Sequence, residues 1–193
     1  MISYHDKTAL IVVDVQNDFA DPAGNLYVSG GETVVPRVNV EVMRAQSAGA
    51  LIVYTQDWHP ESTPHFEKDG GVWPVHCVKE TWGAELHPRL EFSGPVIRKG
   101  SNGEDGYSGF TMRHPETGAE TPTPLHSLLQ ENGIERVVVV GLALDVCVKA
   151  TALDAAEDFT TSVIVDATAA VELEPGDGER AVEELRSRGV TVA

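Results

Sequence analysis

Four side chains of metal-binding type, Asp57, His59, His65 and His76, fall within a span of 20 residues. A carboxylate and three imidazoles suit zinc, iron or manganese better than calcium, which takes oxygen ligands. A tetrahedron of all four would close the site, whereas an octahedral ion would keep two positions for water or substrate. Asp-x-His at the end of an extended strand puts both side chains on one face, because strand side chains alternate with period two. The plainer account is loop histidines on a polar surface, and their local density favours the metal. Cys77, beside His76, reads as a small buried apolar residue rather than a further ligand.

A second set could do nucleophilic chemistry. Cys147 follows an apolar run, the turn Gly141-Leu142-Ala143 and Asp145, which places it near the first turn of a helix. Free backbone N–H groups and the helix dipole there are expected to lower a thiol pKa, and the same N–H groups can hold an oxyanion. On composition alone a buried structural cysteine accounts for it as well. Asp14 and Lys99 shift the balance, since a carboxylate near a thiol can take its proton and an ammonium group stabilises the charged forms. Taken singly, Asp14 also reads as a loop or cap carboxylate and Lys99 as a solvated surface lysine.

These residues need elements that bring them together. Ala9 to Val13 reads as a buried strand, Val34 to Ser47 as a helix stopped near Gly49, and Leu51 to Thr55 as a second strand. Pro95 to Arg98 reads as a short third strand and Leu125 to Glu131 as a helix. Arg136 to Val140 is a β-branched run of the kind covered on both faces. A helix from Cys147 to Asp158, a strand from Ser162 to Val165, a helix from Glu179 to Ser187 and a last strand from Val190 to Ala193 complete the series. Strand and helix alternating in this way predict one α/β domain over 1–193: a doubly wound, mostly parallel sheet with helices on both faces. Such sheets place their sites at the carboxyl ends of the strands. Asp14, Asp57-Trp58-His59, Lys99 and Cys147 each follow a strand, so all should meet at one edge. Residues 70 to 110, rich in Gly and Pro, read as long site-forming loops.

Bulk composition narrows the partners. Apolar residues make up 41%, as in a globular protein, and 14 Lys and Arg stand against 30 Asp and Glu, giving 14 − 30 = −16. So acidic a surface repels phosphate backbones and anionic lipid heads, which excludes nucleic acid and membrane partners, and its plain effect is solubility. No segment approaches the roughly 18 apolar residues of a membrane span. The first residues lack a basic start, an apolar stretch and a cleavage site, so a secretory leader is not expected. Two distant cysteines then read as reduced thiols in the cytoplasm. Nothing in the sequence fixes oligomeric state.

The motifs resemble those of the nicotinamidases, within the isochorismatase-like cysteine hydrolases. Asp14-Val15-Gln16-Asn17-Asp18-Phe19 is similar to that family's opening motif. Asp57-Trp58-His59, His65 and Trp73-Pro74-Val75-His76-Cys77 resemble its metal loop. Lys99 and Tyr107-Ser108-Gly109-Phe110 resemble its lysine segment, and Gly141 to Val148 its nucleophile turn. The likeness runs in order over about residues 8 to 168. It implies a triad of Asp14, Lys99 and Cys147, and one divalent ion (Zn, Fe or Mn) on Asp57, His59 and His76, with His65 binding directly or through water. It implies a cis peptide between Leu142 and Ala143, with the Ala143 and Cys147 N–H groups as oxyanion hole. Phe19 and Trp73 would flank an aromatic amide resembling nicotinamide, although ordinary core packing also accounts for them. Leu142 and Tyr107 would complete the pocket, Tyr107 either as wall or as support. Dimers or larger rings are compatible with the resemblance.

Rival readings are separable. Related hydrolases of carbamoyl and ureido compounds share Asp, Lys and Cys without the metal cluster. Isochorismatases proper lack the cysteine. A catalytically idle domain on this fold would show a broken triad, and a thiol redox protein would show Cys-x-x-Cys. The segment Gly100 to Gly109 departs from the family pattern in its acidic Glu104 and Asp105.

Overall fold

Strand β1 (Thr8–Val13) is buried at every residue, as a strand covered on both faces must be. Its side chains alternate: Leu10 and Val12 join one apolar cluster, while Ala9, Ile11 and Val13 join the other. The computed structural model describes residues 2–193; Met1 lies outside the described residues. After β1 the chain forms a single turn, α1 (Asn17–Ala20), and then α2 (Gly31–Ser47), β2 (Leu51–Asp57) and β3 (Val96–Lys99). A hairpin of β4 (Thr111–Arg113) and β5 (Glu120–Pro122) precedes α3 (Leu125–Glu131) and β6 (Arg136–Leu142). A π-helical turn over Leu144–Val148 leads into α4 (Lys149–Ala155), followed by β7 (Thr160–Ala169), α5 (Asp177–Ser187) and β8 (Thr191–Val192).

Six strands form one sheet in the order β3-β2-β1-β6-β7-β8, all paired in parallel. Helix α2 covers one face through Val34, Val35, Val38 and Val42. Leu125 and Leu129 of α3, Ala152 and Ala155 of α4, and Leu185 of α5 cover the other. The expected doubly wound sheet is therefore present. Strand order reverses between β1 and β6, which makes the carboxyl ends of these two strands the place for a site.

Several boundaries differ from the sequence expectation. Strand β7 runs ten residues, well past Val165, because a register shift between Val139 and Gly141 lets its second half pair Thr168 with Gly141 and Ala169 with Leu142. That half carries Asp166 and Thr168, which hide it as a strand. Helix α2 starts at Gly31, three residues early, behind Gly30 in the left-handed conformation. The helix expected from Cys147 begins instead as the π turn at Leu144. Elements α1, β4 and β5 were not expected, since three or four residues carry no periodicity. At Gly141 the φ is +111°, and a Cβ there would lie 2.1 Å from the Val13 carbonyl oxygen. Only glycine lets β6 come this close to β1.

Candidate active site

The carboxyl ends of four neighbouring strands deliver four functional groups. Asp14 follows β1, Asp57 ends β2, Lys99 ends β3 as its register partner, and Cys147 lies in the turn after β6. Lys99 is fully buried, and its ammonium group is the hub. Nζ donates to Asp14 Oδ2 at 2.7 Å, to Asp57 Oδ1 at 2.5 Å and to the Gly106 carbonyl. An ammonium group has three hydrogens, so the Cys147 sulfur, at 3.8 Å, meets its charge rather than a fourth hydrogen bond. A carboxylate oxygen from each of Asp14 and Asp57 and the Cys147 sulfur all lie within 4.8 Å of one another. Thr55 Oγ1 donates to Asp14 Oδ1 at 2.6 Å and fixes that carboxyl from the other side.

Charge sets the protonation preferences. Burial pushes the Asp14 carboxyl up to about 6, against the pull of Lys99. Burial also acts on Asp57, but Lys99 and the neighbouring histidines outweigh it and hold that carboxyl well below the usual range. Burial alone would lower Lys99, yet the two carboxylates hold it well above its ordinary value. The expectation of a lowered Cys147 thiol is corrected: burial and the nearby carboxylates push it well up, and Lys99 offsets this only in part. The residue lies deep in a π turn beside two carboxylates, so the helix dipole does not dominate. The buried thiol therefore holds its proton until a base removes it. Replacing Lys99 with Met should leave two buried carboxylates facing each other without a cation. Urea unfolding is expected to show a loss of about 3–5 kcal/mol; a loss below about 1 kcal/mol would mean that water reaches the pair.

Next to this hub, His59, His65 and His76 bring ring nitrogens within 4.8 Å of one another. Asp57 joins the two groups: Oδ1 faces Lys99, while Oδ2 lies 3.7 Å from His59 Nε2 and 3.8 Å from His76 Nε2. A carbonyl can only accept, so His76 Nδ1, 2.8 Å from the Pro74 oxygen, carries the hydrogen and leaves a lone pair on Nε2. The His65 Nδ1 contact with Asp105 Oδ1, at 2.7 Å, acts in the same way on His65. His59 is fully buried, and both its ring nitrogens are without a hydrogen-bond partner. Burial pushes His65 down and His76 down to about 3, so both rings are neutral. Two neutral imidazoles, His65 and His76, and the orphaned ring of His59 beside the Asp57 carboxylate form a donor set that fits a divalent ion.

The opening motif does more than supply Asp14. Gln16 Nε2 donates to the Asp57 carbonyl and its Oε1 accepts from the Asp57 N–H, both at 2.8 Å, so the side chain pairs with β2 as a strand would. The Asp18 carboxylate accepts from the Cys77 N–H at 2.6 Å and from the Asn25 N–H at 2.9 Å, which pins the loop carrying His76. Cys77 is fully buried, as expected of a packing residue.

Above the hub is a narrow cleft. Phe19, Trp73, Tyr107, Ala143 and Cys147 line it, with Asp57, His65 and His76 along one side. Trp73 Nε1 donates to the Tyr107 hydroxyl at 3.0 Å, so Tyr107 is at once wall and support. His59 lies beneath the wall, fully buried. Leu142 does not line the cleft: strand alternation turns its side chain into the core with Leu10 and Val140. The Leu142–Ala143 peptide is cis, as expected. Sequence reading missed Leu26, Val28, Val146 and Val171 as cleft residues. Val146 carried a signal, as the neighbour of Cys147; the others sit in segments without periodicity.

The chain as a whole is similar to known proteins. The chain matches the Isochorismatase domain over residues 8–193. It is 38% identical to the nicotinamidase of Acinetobacter baylyi, over 96% of this chain and 91% of that one. The structure of a Pyrococcus horikoshii pyrazinamidase in complex with zinc superimposes with a TM-score of 0.85 at 41% identity, covering 97% of this chain and 98% of that one. The PnC1 protein of L. infantum in complex with nicotinate gives a TM-score of 0.88 at 37% identity, covering 100% and 95%.

Proposed function

This chain belongs to the isochorismatase-domain family, and within it we propose a metal-containing cysteine amidohydrolase that converts nicotinamide to nicotinic acid and ammonia. One observation carries the reading: the Cys147 sulfur, the Asp14 carboxylate and the Lys99 ammonium group meet at the base of an aromatic cleft whose side wall carries His65 and His76. The relatives named nicotinamidase and the nicotinate and zinc complexes of its structural neighbours point the same way. Among the described residues the cleft lining contains no arginine or lysine, and its Phe19, Trp73 and Tyr107 rings suit a neutral aromatic amide.

In the mechanism, Phe19 and Trp73 hold the ring and bring the carboxamide carbon over Cys147. Asp14 removes the thiol proton as the sulfur attacks, and Lys99 keeps the charge of the pair in balance. The Ala143 and Cys147 N–H groups receive the oxyanion. Asp14 then returns the proton to departing ammonia, which leaves a thioester. Water, with its proton taken by Asp14, attacks the thioester carbon, and Cys147 leaves as a thiol. Asp57, His59, His65 and His76 would hold a zinc, iron or manganese ion, which supplies positive charge to orient the ring nitrogen.

The test is ammonia release from nicotinamide by purified protein, before and after chelation and after return of metal. Release is expected to fall at least tenfold on chelation and to recover with metal, by the usual weight of a lost metal–substrate contact. Absence of release from protein shown to hold metal and a free Cys147 thiol would overturn nicotinamide as substrate. No helix among the described residues is long and apolar enough to cross a membrane. Cys77 and Cys147 are both free thiols, and unpaired cysteines are usual in the cytoplasm, which supports a cytoplasmic site of action.

A further inference from the structure

We propose that Asp105 is a positioning residue that fixes His65 and presents its ring to the metal. The inference rests on the metal reading of the site, not on the identity of the amide. Asp105 lies in the acidic pair Glu104-Asp105 and is 5% exposed. Its two oxygens are divided: Oδ1 accepts from His65 Nδ1 at 2.7 Å, and Oδ2 accepts from Arg113 Nη2 at 3.0 Å. Arg113 closes β4, and two backbone hydrogen bonds tie it to Asp105: the Asp105 N–H to the Arg113 carbonyl at 2.7 Å, and the Arg113 N–H to the Asp105 carbonyl at 3.1 Å. The hairpin thus holds the carboxylate at a fixed place behind the histidine.

Three consequences follow for His65. Its Nδ1 carries the hydrogen, so the lone pair is on Nε2. The ring is held from one side by Asp105 and stacked on His59 at 4.8 Å between centroids with 22° between planes, with a ring nitrogen within 4.8 Å of those of His59 and His76. The charged partner also makes the imidazole a better electron donor than a neutral carbonyl would. His76 has such a neutral partner in Pro74, and His59 has none. Asp105 is therefore the one carboxylate hydrogen-bonded behind a histidine of the cluster, among the described residues.

The experiment is zinc affinity by competition with a chelator, on metal-stripped protein with no substrate present. Asp105→Ala is expected to weaken zinc 10- to 100-fold, the usual effect of removing the partner behind a ligating histidine. Asp105→Asn, whose amide oxygen still accepts from Nδ1, should lose less. In a His65→Ala background, Asp105→Ala should cost nothing further, because its effect passes through that ring. An unchanged affinity in folded Asp105→Ala overturns the proposal. So does an equal loss with and without His65, which would mean that Asp105 only holds the loop. If the alanine variant does not fold, Asp105→Asn decides by the same comparison. Wild-type protein that binds zinc but leaves nicotinamide intact would sink the proposed substrate and leave this inference standing; wild-type protein that binds no zinc would sink the metal site and this inference with it.

Discussion

A Cys147→Ala variant is expected to lose nicotinamide turnover by about a million-fold, the scale seen when a nucleophile is removed from a unit that acts together. The structure offers no substitute. Cys77 is fully buried on the far side of the opening motif, held near the Gly83 carbonyl and the Asp18 carboxylate, and does not line the cleft. Cys147 is 7% exposed at the cleft floor, and its loss removes one sulfur from contact with Lys99 without unpairing any charge. The variant should therefore unfold within a few degrees of the wild type while turnover disappears. Activity within about a hundredfold of wild type, in protein proven to carry the substitution, would show that the reaction does not pass through a thioester on this residue.

Asp14→Asn is expected to cost about 10⁴-fold in kcat/KM, near the upper end for a general acid–base group, since the same carboxyl serves both half-reactions. The pH dependence follows from its environment. Burial raises Asp14 to about 6. The free enzyme needs this group as a base, so the protonated form is inactive. Plotted as a logarithm, kcat/KM should be level above pH 6 and fall with unit slope below it. The limb should vanish from the residual activity of Asp14→Asn. A limb that persists there at the same midpoint would assign it to another group and remove Asp14 from the role of base. The amide oxygen can keep the Thr55 bond, but its NH₂ then faces Lys99, so part of the loss will come from misplaced charge rather than the missing base.

The strand ends were legible because buried parallel strands are continuous apolar runs, and the polar residue that breaks such a run marks the sheet edge. That logic places Asp14, Asp57, Lys99 and Cys147 at one edge of the sheet, and the strand order makes their strands neighbours. The histidine cluster was legible from density alone. What sequence could not show depends on contacts distant along the chain. Leu142 sits beside the nucleophile turn yet faces the core, because the strand persists through it. The rise in the Cys147 thiol pKa comes from burial and from carboxylates more than 80 residues away, whereas the sequence displayed only the local helix. The β4–β5 hairpin is too short to announce itself, and so the partnership of Arg113, Asp105 and His65 was hidden in a stretch marked only by its excess of acid.

The close approach at Gly141 has a bearing on evolution and engineering. Its α-carbon rests against Val13, and the next residue along each strand leads into the site: Asp14 on one side, Leu142-Ala143 and the cysteine turn on the other. The gap between these two backbones acts as a gauge that sets how far the base stands from the sulfur. A methyl group at 141 would open the gauge while altering no group that reacts. Changes in catalytic power can therefore originate at a residue that has no side chain and never meets the substrate, and a survey of functional positions confined to chemically active side chains would pass over it.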